Sequence, residues 1–528
     1  MKLRERLTAD WELIGLLLLA VMVYQPWSAS ALPILDFSEF LPQLAAQETA
    51  FGQYGAVAKY MESQGRFCPL LYAHVVIAWN AFGMWAPGWH WTYVALIGGV
   101  LVAGRALLIE MGVKRVAVLG ALALWTIAPP VAAGAVRLTG ELTGLLFFIG
   151  AMRLAHGYAD AADWKRRAVM IAACLVAMIA AKEMLAVLFP GVWLMTRLSH
   201  RDGKWEWASW TQRDVTAVAW SAPAVVTALL PVAVVAMNAP AGSYAARYGT
   251  GSLDFPSIIL RLETALLPSR AGLPSATQLI NDASWQSWLT LPNLLWLALL
   301  GAGLIALSRG RAHRGVKWPM LIGAMWALSG VAAYLPWPSQ APFYMMPFAF
   351  GVAVVVAYAL HALLRSRPVG ALSLTAVVFI AAIGAVEARD IVNEHELRVA
   401  TDARVLSTIA YRGRTLPLVA AVPEPMPAGA FGWGRKLGDY GRVTGDVAPR
   451  YARDVSCAEG RRLLKNAEQV VVVSASNGCG PLSPGSVVIS ETVPRRRWPW
   501  LFEGRTNRRV NFVAIGTERR ISSAGTEQ

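Results

Sequence analysis

The strongest constraint on this chain is a series of long apolar segments. A helix needs about 20 mainly apolar residues to cross the hydrocarbon core of a bilayer, and eleven segments approach that length. They lie at residues 11–27, 92–109, 116–135, 138–155, 168–181, 183–197, 215–237, 291–308, 318–336, 343–364 and 369–386. Hydrophobic residues make up 56% of the chain and charged residues only 15%. The sequence therefore predicts an all-α polytopic membrane bundle of about eleven transmembrane helices.

The basic residues indicate which ends of these segments face the cytoplasm, because short cytoplasmic connections accumulate Lys and Arg. If the N-terminus is cytoplasmic, the basic clusters share one side. They lie at residues 2–6, 114–115, 165–167, 197–213, 309–317 and 365–367. Much of the net charge of +15 then reflects topology, and we expect no nucleic-acid partner. Segments 168–181 and 183–197 meet at Lys182. If they were instead one long broken helix, every later segment and connection would lie on the opposite side of the membrane.

The composition changes near residue 387, where apolar runs shorten and charge rises. We therefore expect a transmembrane domain over residues 1–386, with external loops at 28–90 and 238–290, and an extracytoplasmic domain over 387–528. Four strand-like runs and one helix-like run predict a small α/β or α+β fold for this second domain. The runs lie at residues 416–422, 469–474, 486–489 and 511–515, and the helix at 458–467.

Two of the four cysteines, Cys457 and Cys479, fall within that C-terminal domain. Outside the cytoplasm a disulfide is chemically allowed. We expect these cysteines to be bonded, with their Cα atoms within about 7 Å of each other.

Two carboxylates, Asp36 and Glu39, stand just beyond the first apolar segment. A carboxylate at the mouth of a membrane cavity can orient or deprotonate an acceptor hydroxyl, or hold a metal ion beside a lipid phosphate. The alternative is a solvated loop. A helix-like run follows to about Arg66, and its apolar face could lie flat on the bilayer. That face contains Leu41, Leu44, Phe51, Tyr54, Val57 or Ala58, and Met61.

Charged residues also stand at the predicted outer boundary of the bundle. Arg137 and Glu141 are four residues apart and are expected to share a helix face. Lys182 and Glu183 separate two apolar segments at the same level. Because charges facing lipid cost several kcal/mol, these groups should face the bundle interior or a wet cavity. An ammonium there suits a phosphate, whereas the alternative is a purely structural ion pair.

Further candidates for phosphate binding are less distinctive. His74, like His90, lies in an aromatic-rich stretch, where a packed or interfacial histidine is the alternative to a ligand. Arg270 shares the 238–290 loop with Arg247 and Arg261, and we expect at least one of the three to be functional rather than solvated.

Taken in order, these residues resemble the GT-C glycosyltransferases, polytopic enzymes that use polyprenyl-phosphate sugars. The resemblance covers roughly residues 1–365. It is carried by Asp36 and Glu39 before an interfacial helix, Arg137 to Glu141, Lys182-Glu183 between short spans, and Phe343-Tyr344-Met345-Met346-Pro347 after a long external loop. Two departures stand out. Many members have adjacent acidic residues in the first loop, and Gln340-Ala341-Pro342 stands where an arginine is common.

The resemblance implies transfer of a sugar from a polyprenyl-phosphate donor to a glycan, lipid or protein acceptor at the cell membrane. Asp36 would be the catalytic base or the carboxylate that orients the acceptor, with Glu39 as a further catalytic candidate, and Glu141 would be a second acidic group near the sugar or a metal. Lys182, with Arg137 or a loop arginine, would bind the lipid phosphate, and Glu183 and Tyr344 would line the site. Asp36 and Glu141 are the candidate ligands if a divalent cation, Mg²⁺ or Mn²⁺, is the cofactor.

Two other classes of protein fit some of these features. A lipid or glycan transporter or flippase would also carry charges near the bilayer, but such folds tend to place them at mid-membrane and to show internal symmetry. A non-catalytic membrane scaffold presenting the C-terminal domain would leave the charges at 137–141 and 182–183 unexplained.

Overall fold

The computed structural model describes residues 2–29, 32, 40–137, 139–201, 204–207, 212–240, 254–268, 288–309, 317–337, 342–413, 416–422, 451–466, 470–475, 479, 487–492 and 508–515. The chain divides into two compact units. The first contains Met1–Ala29, Ala58–His395 and Arg496–Gly504, and the second contains Ser30–Val57, Glu396–Arg495 and Arg505–Gln528.

Helices account for most of the described secondary structure, as the apolar runs predict. In chain order they are α1 (Lys2–Tyr24), α2 (Leu41–Ala45), α3 (Ala50–Ser63), α4 (Pro69–Phe82), α5 (Ala86–Glu110), α6 (Arg115–Thr126), α7 (Pro129–Ala135), α8 (Glu141–Ala155), α9 (Trp164–Ala181), α10 (Phe189–Thr196), α11 (Gln212–Met237), α12 (Phe255–Leu266), α13 (Leu291–Arg309), α14 (Lys317–Tyr334), α15 (Met346–Leu363), α16 (Arg367–Gly413) and α17 (Cys457–Lys465). Short 3₁₀ helices occur at Pro26–Ser28, Tyr158–Asp160, Glu183–Leu188 and Pro342–Met345.

Within the described residues, six helices are long and apolar enough to cross a membrane. They fall in α1, α5, α11, α13, α15 and α16. Helices α6 and α7 form a seventh span if they are counted together, although they are bent by 58° at the break between them. Pro129 and Pro130 open α7 and cannot continue the hydrogen bonds of α6. The remaining predicted segments form helices that are shorter or carry more charge, so the expected number of eleven spans stays a prediction.

Helix α15 is the core of the first unit, because almost its whole surface is buried. Helices α6, α13 and α14 all pack against it. The contact with α14 is close: a Cβ on Gly351 would lie 2.6 Å from the carbonyl oxygen of Gly323. Glycines at this crossing let the two backbones approach as they do in other membrane helix pairs.

The helix-like run after the first apolar segment is not one helix. It breaks into α2 and α3, because Thr49 caps the start of α3 by accepting a hydrogen bond of 3.1 Å from the Gly52 N–H. Most of the predicted apolar face is buried in the protein, including Leu41, Leu44, Val57 and Met61, whereas Phe51 is 88% exposed. The expectation that this whole face lies on the bilayer is therefore wrong.

A hairpin that was not predicted follows α10. Strand β1 (Leu198–Arg201) pairs antiparallel with β2 (Lys204–Trp207), and Arg201 stands opposite Lys204. The two intervening residues are Asp202 and Gly203, a favoured pair for a two-residue hairpin turn. This dipeptide is the signal by which the sequence could have revealed the hairpin.

The second unit contains a five-stranded sheet built from β3 (Leu418–Val422), β4 (Tyr451–Ser456), β5 (Val471–Ala475), β6 (Val487–Thr492) and β7 (Arg508–Ile515). The strand order is β4-β3-β5-β7-β6. Strands β4 and β5 pair parallel with β3, whereas β7 runs antiparallel to both β5 and β6. Helix α17 covers one face, where Leu463 packs with Val419, Ala421, Val455 and Val472. The prediction of a small mixed domain is confirmed.

The predicted disulfide is present. Cys457 and Cys479 are bonded, and their Cα atoms are 5.2 Å apart. Arg461 on α17 also donates a hydrogen bond of 2.7 Å to the carbonyl oxygen of Cys479. The disulfide and this hydrogen bond attach the chain at residue 479 to the start of α17.

Candidate functional site

The site is organised by a break in the chain after α9. That helix ends at Ala181, and Lys182 has an extended backbone with φ −157° and ψ 110° before the 3₁₀ helix Glu183–Leu188 begins. In an extended backbone, neighbouring side chains leave on opposite sides. The close ion pairs of Lys182 and Glu183 are therefore made with residues from other parts of the chain, Glu141 and Arg66.

Lys182 is paired with Glu141. Its Nζ lies 2.9 Å from Glu141 Oε1, and the two side chains are only 4% and 0% exposed. Glu141 is the first residue of α8, where the positive end of the helix dipole favours a carboxylate. A buried pair of this kind carries a large desolvation penalty, which is offset only while both charges remain together.

Two glycines permit this pairing. A Cβ on Gly140 would lie 2.0 Å from the carbonyl oxygen of Ala181, and one on Gly144 would lie 2.3 Å from Leu185 Cδ1. Because neither position carries a side chain, the start of α8 can lie directly against the break. This contact brings Glu141 to Lys182.

The Glu141 carboxylate retains hydrogen-bonding capacity. Among the described residues, neither of its oxygens has a hydrogen-bond partner with acceptable geometry, although Oε1 is within ion-pair distance of Lys182. A buried acceptor without a partner loses the hydrogen bonds that water would otherwise give it. The Glu141 carboxylate is therefore suited to accept a hydrogen bond from a further hydroxyl or N–H group.

Glu183 contacts the segment between α3 and α4. Its Oε1 is 3.4 Å from Arg66 Nε, and the Cys68 thiol donates a hydrogen bond to its Oε2. The Cys68 N–H donates to the Tyr72 hydroxyl at 2.7 Å, and that hydroxyl donates to the Arg66 carbonyl oxygen at 2.9 Å. Burial raises the pKa of the Cys68 thiol to about 12, and the Glu183 carboxylate adds to the rise, so the thiol stays protonated as a donor.

Aromatic rings from the 3₁₀ helix Pro342–Met345 lie beside the cations. Lys182 Nζ is 5.6 Å from the centre of the Tyr344 ring, and Arg137 Cζ is 4.4 Å from the centre of the Phe343 ring. The Tyr344 ring in turn stacks on Tyr334, with centres 4.8 Å apart and planes at 6°. Aromatic faces attract cations without neutralising them. Lys182 and Arg137 therefore each lie beside a ring of the same 3₁₀ helix.

The structure thus brings together three of the predicted site residues, Glu141, Lys182 and Tyr344. Arg137 lies on the neighbouring Phe343 ring, and Glu183 is next to Lys182 in the chain. The prediction that Arg137 and Glu141 share a helix face is wrong, because α8 begins at Glu141 and Arg137 precedes it.

The other predicted site residues are not joined to this cluster by any contact in the described part of the chain. His74 contacts the Thr92 hydroxyl at 3.3 Å and the Tyr93 ring. Asp36, Glu39 and Arg270 lie outside the described residues.

Two contributors were not identified from the sequence. They are Arg66 and Cys68, which both contact the Glu183 carboxylate. The available signal was Glu183 itself, because a carboxylate at a membrane boundary requires a partner.

The described part of the chain contains no group of three or more His, Cys, Asp or Glu side chains placed to hold a metal ion. Glu141 is the candidate ligand that falls in this part, and Lys182 already lies against it. The other candidate ligand, Asp36, lies outside the described residues.

No protein-family model matches the chain, and no curated protein matches its sequence. Among solved structures, it is similar to ArnT from Cupriavidus metallidurans bound to undecaprenyl phosphate, at 12% identity and a TM-score of 0.48, over 98% of this chain and 99% of that one. It is also similar to the archaeal oligosaccharyltransferase AglB from Archaeoglobus fulgidus in complex with an inhibitory peptide and a dolichol-phosphate. That match has 10% identity and a TM-score of 0.46, over 88% of this chain and 69% of that one.

Proposed function

We propose that this protein is a membrane glycosyltransferase of the GT-C type that transfers a sugar from a polyprenyl-phosphate donor to a glycan, lipid or protein acceptor. The observation that carries the proposal is the buried Lys182–Glu141 pair at the broken helix, 2.9 Å apart and lined by Tyr344. Three of the motifs on which the sequence resemblance rests contribute to this one cluster, although they lie far apart in the chain.

The cations of the cluster fit the phosphate of such a donor. Lys182 offers a compact ammonium, and Arg137 offers a planar guanidinium able to bind a phosphate through two hydrogen bonds. Both lie on adjacent aromatic rings, Phe343 and Tyr344. In the absence of donor, Glu141 balances Lys182. When the donor binds, the phosphate takes over part of that role.

The proposed reaction combines these cations with Asp36, which lies outside the described residues. Asp36, the proposed base, removes the proton from an acceptor hydroxyl, whose oxygen attacks the anomeric carbon of the sugar. The bond between that carbon and the phosphate oxygen breaks, and the leaving phosphate keeps the electron pair. Lys182 and Arg137 stabilise the charge that develops there. Asp36 and Glu141 are the candidate ligands for a divalent cation, Mg²⁺ or Mn²⁺. The proposed reaction assigns no step to such a cation.

We also propose that the domain from residue 387 onward lies outside the cytoplasm, as the distribution of basic residues predicts. The disulfide between Cys457 and Cys479 supports this, because disulfides persist in oxidising compartments. The transferase site would then face the same compartment as the C-terminal domain.

The test is transfer of labelled sugar from a panel of polyprenyl-phosphate donors by purified Asp36→Asn protein. We expect transfer to be lost while binding of undecaprenyl phosphate stays within about twofold of wild type, because an amide cannot accept the proton. Glu48→Gln, an exposed carboxylate in the same external loop, is the matched control and should transfer normally. Transfer by Asp36→Asn at the wild-type rate would remove Asp36 from the role of base.

A further inference from the structure

An arginine is buried on a helix of the second external loop. Helix α12 starts after Asp254, whose side chain caps it by accepting a hydrogen bond of 2.8 Å from the Ser257 N–H. Its buried side contains Leu260 and Thr264, and also Arg261, which is only 2% exposed. The sequence suggested that Arg261 either binds phosphate or faces water. Its burial and its contacts indicate another role.

The guanidinium of Arg261 donates to three backbone carbonyl oxygens. Nε donates to Tyr334 at 2.9 Å, Nη2 to Trp337 at 2.6 Å and Nη1 to Ser257 at 2.9 Å. Tyr334 is the last residue of α14. The final carbonyls of a helix lack partners within that helix and carry its negative dipole end. Arg261 therefore caps α14 and at the same time fixes α12 to it.

Tyr334, the residue that Arg261 caps, is connected to the proposed phosphate site through one aromatic contact. The Tyr334 ring stacks on the Tyr344 ring with planes at 6°, and Lys182 Nζ lies 5.6 Å from the centre of the Tyr344 ring. Helix α12 also contacts the 3₁₀ helix that carries Tyr344. A displacement of the end of α14 would thus move Tyr334, and through the stack it would move the ring beside the lysine.

We propose that Arg261 is a positioning residue for donor binding. By holding the end of α14 it fixes Tyr334, which orients Tyr344 beside Lys182, so the external loop completes the phosphate site without touching the phosphate. This inference rests on the proposed function, because it assumes that Lys182 binds the donor phosphate.

The test measures the dissociation constant for undecaprenyl phosphate by ligand-dependent thermal shift. We expect Arg261→Met to raise it about tenfold, since all three hydrogen bonds to the end of α14 and to α12 are lost. Arg261→Lys should raise it about threefold, because a point charge cannot reproduce the fork geometry. Phe255→Leu is the matched control. Phe255 lies on the same helix, its side chain is exposed and it takes no part in the Arg261 hydrogen bonds, so the dissociation constant should stay within twofold.

A double-mutant cycle separates positioning from general destabilisation. In a Tyr344→Leu background the stack is gone, so Arg261→Met should change the dissociation constant less than twofold. The same factor in both backgrounds, or no effect in either, would overturn the inference while leaving the proposed function standing. If the wild-type protein bound no undecaprenyl phosphate, the inference on Arg261 and the proposed function would both be refuted. Should Arg261→Met not fold, Arg261→Lys enters the cycle with the same outcomes.

Discussion

The Lys182–Glu141 pair makes a quantitative prediction about stability. The two side chains are almost fully buried and 2.9 Å apart. Removing one partner leaves an uncompensated charge in the interior, which typically costs about 3–5 kcal/mol. This is a large part of the roughly 5–15 kcal/mol that holds a folded domain together. Lys182→Met and Glu141→Gln should therefore each lower stability severely.

The double variant should behave differently. Lys182→Met combined with Glu141→Gln removes both charges, and such replacements are often neutral or stabilising. We therefore expect the double variant to be more stable than either single variant, with a coupling of about 3 kcal/mol or more. Unfolding in mixed detergent micelles, followed by circular dichroism, would measure the full cycle.

An exposed pair provides the matched control. Arg153 and Glu110 also form an ion pair, but their side chains are 41% and 39% exposed. Exposed pairs contribute about 0–1 kcal/mol, so single substitutions there should have little effect. If the substitutions at Lys182 and Glu141 were equally mild and additive, water would reach that pair and the reasoning from burial would be refuted.

Three further predictions concern packing, reactivity and topology. Gly140→Ala should lower stability by about 2 kcal/mol or more in the same unfolding assay, because its methyl group would meet the Ala181 carbonyl. Gly55→Ala, with open space around it, should not lower stability and is the control. Cys68 should resist thiol reagents at pH 8 in the folded protein, because a pKa of about 12 leaves about one thiol in 10,000 ionised; rapid labelling would contradict its burial. A cysteine introduced near Gly434 should be labelled by an impermeant reagent in intact cells, whereas labelling only after lysis would contradict an external C-terminal domain.

The parts of the fold that depend on local pattern could be predicted from the sequence. Apolar runs predicted most of the helices, and alternating apolar residues predicted β3, β5, β6 and β7. Strand β4 was missed because Arg453 and Asp454 interrupt its apolar pattern, as charged residues often do on an edge strand. The hairpin β1–β2 was missed although the sequence Asp202-Gly203 between its strands favours a tight turn.

The site was predictable in part, for a physical reason. The energetic cost of charge at a membrane boundary identified Glu141 and Lys182 as residues that need polar surroundings. Their mutual pairing was not evident, because Glu183 is adjacent to Lys182 in sequence and Arg137 stood one expected helical turn from Glu141. The extended backbone at Lys182 and the close contact at Gly140 decide the pairing, and both depend on tertiary packing. The Arg66–Glu183 contact, across 117 residues, is equally non-local.

The most direct test of the central claim is the affinity of the folded double variant for the lipid phosphate. Lys182→Met combined with Glu141→Gln keeps the interior neutral but removes the proposed phosphate ligand. A hydrogen bond to a charged group is worth about 1.5–3 kcal/mol, so its dissociation constant for undecaprenyl phosphate should rise by roughly tenfold to 150-fold, with Glu141→Gln alone retaining binding. A folded double variant that binds undecaprenyl phosphate within twofold of wild type would contradict the assignment of Lys182 to the donor phosphate.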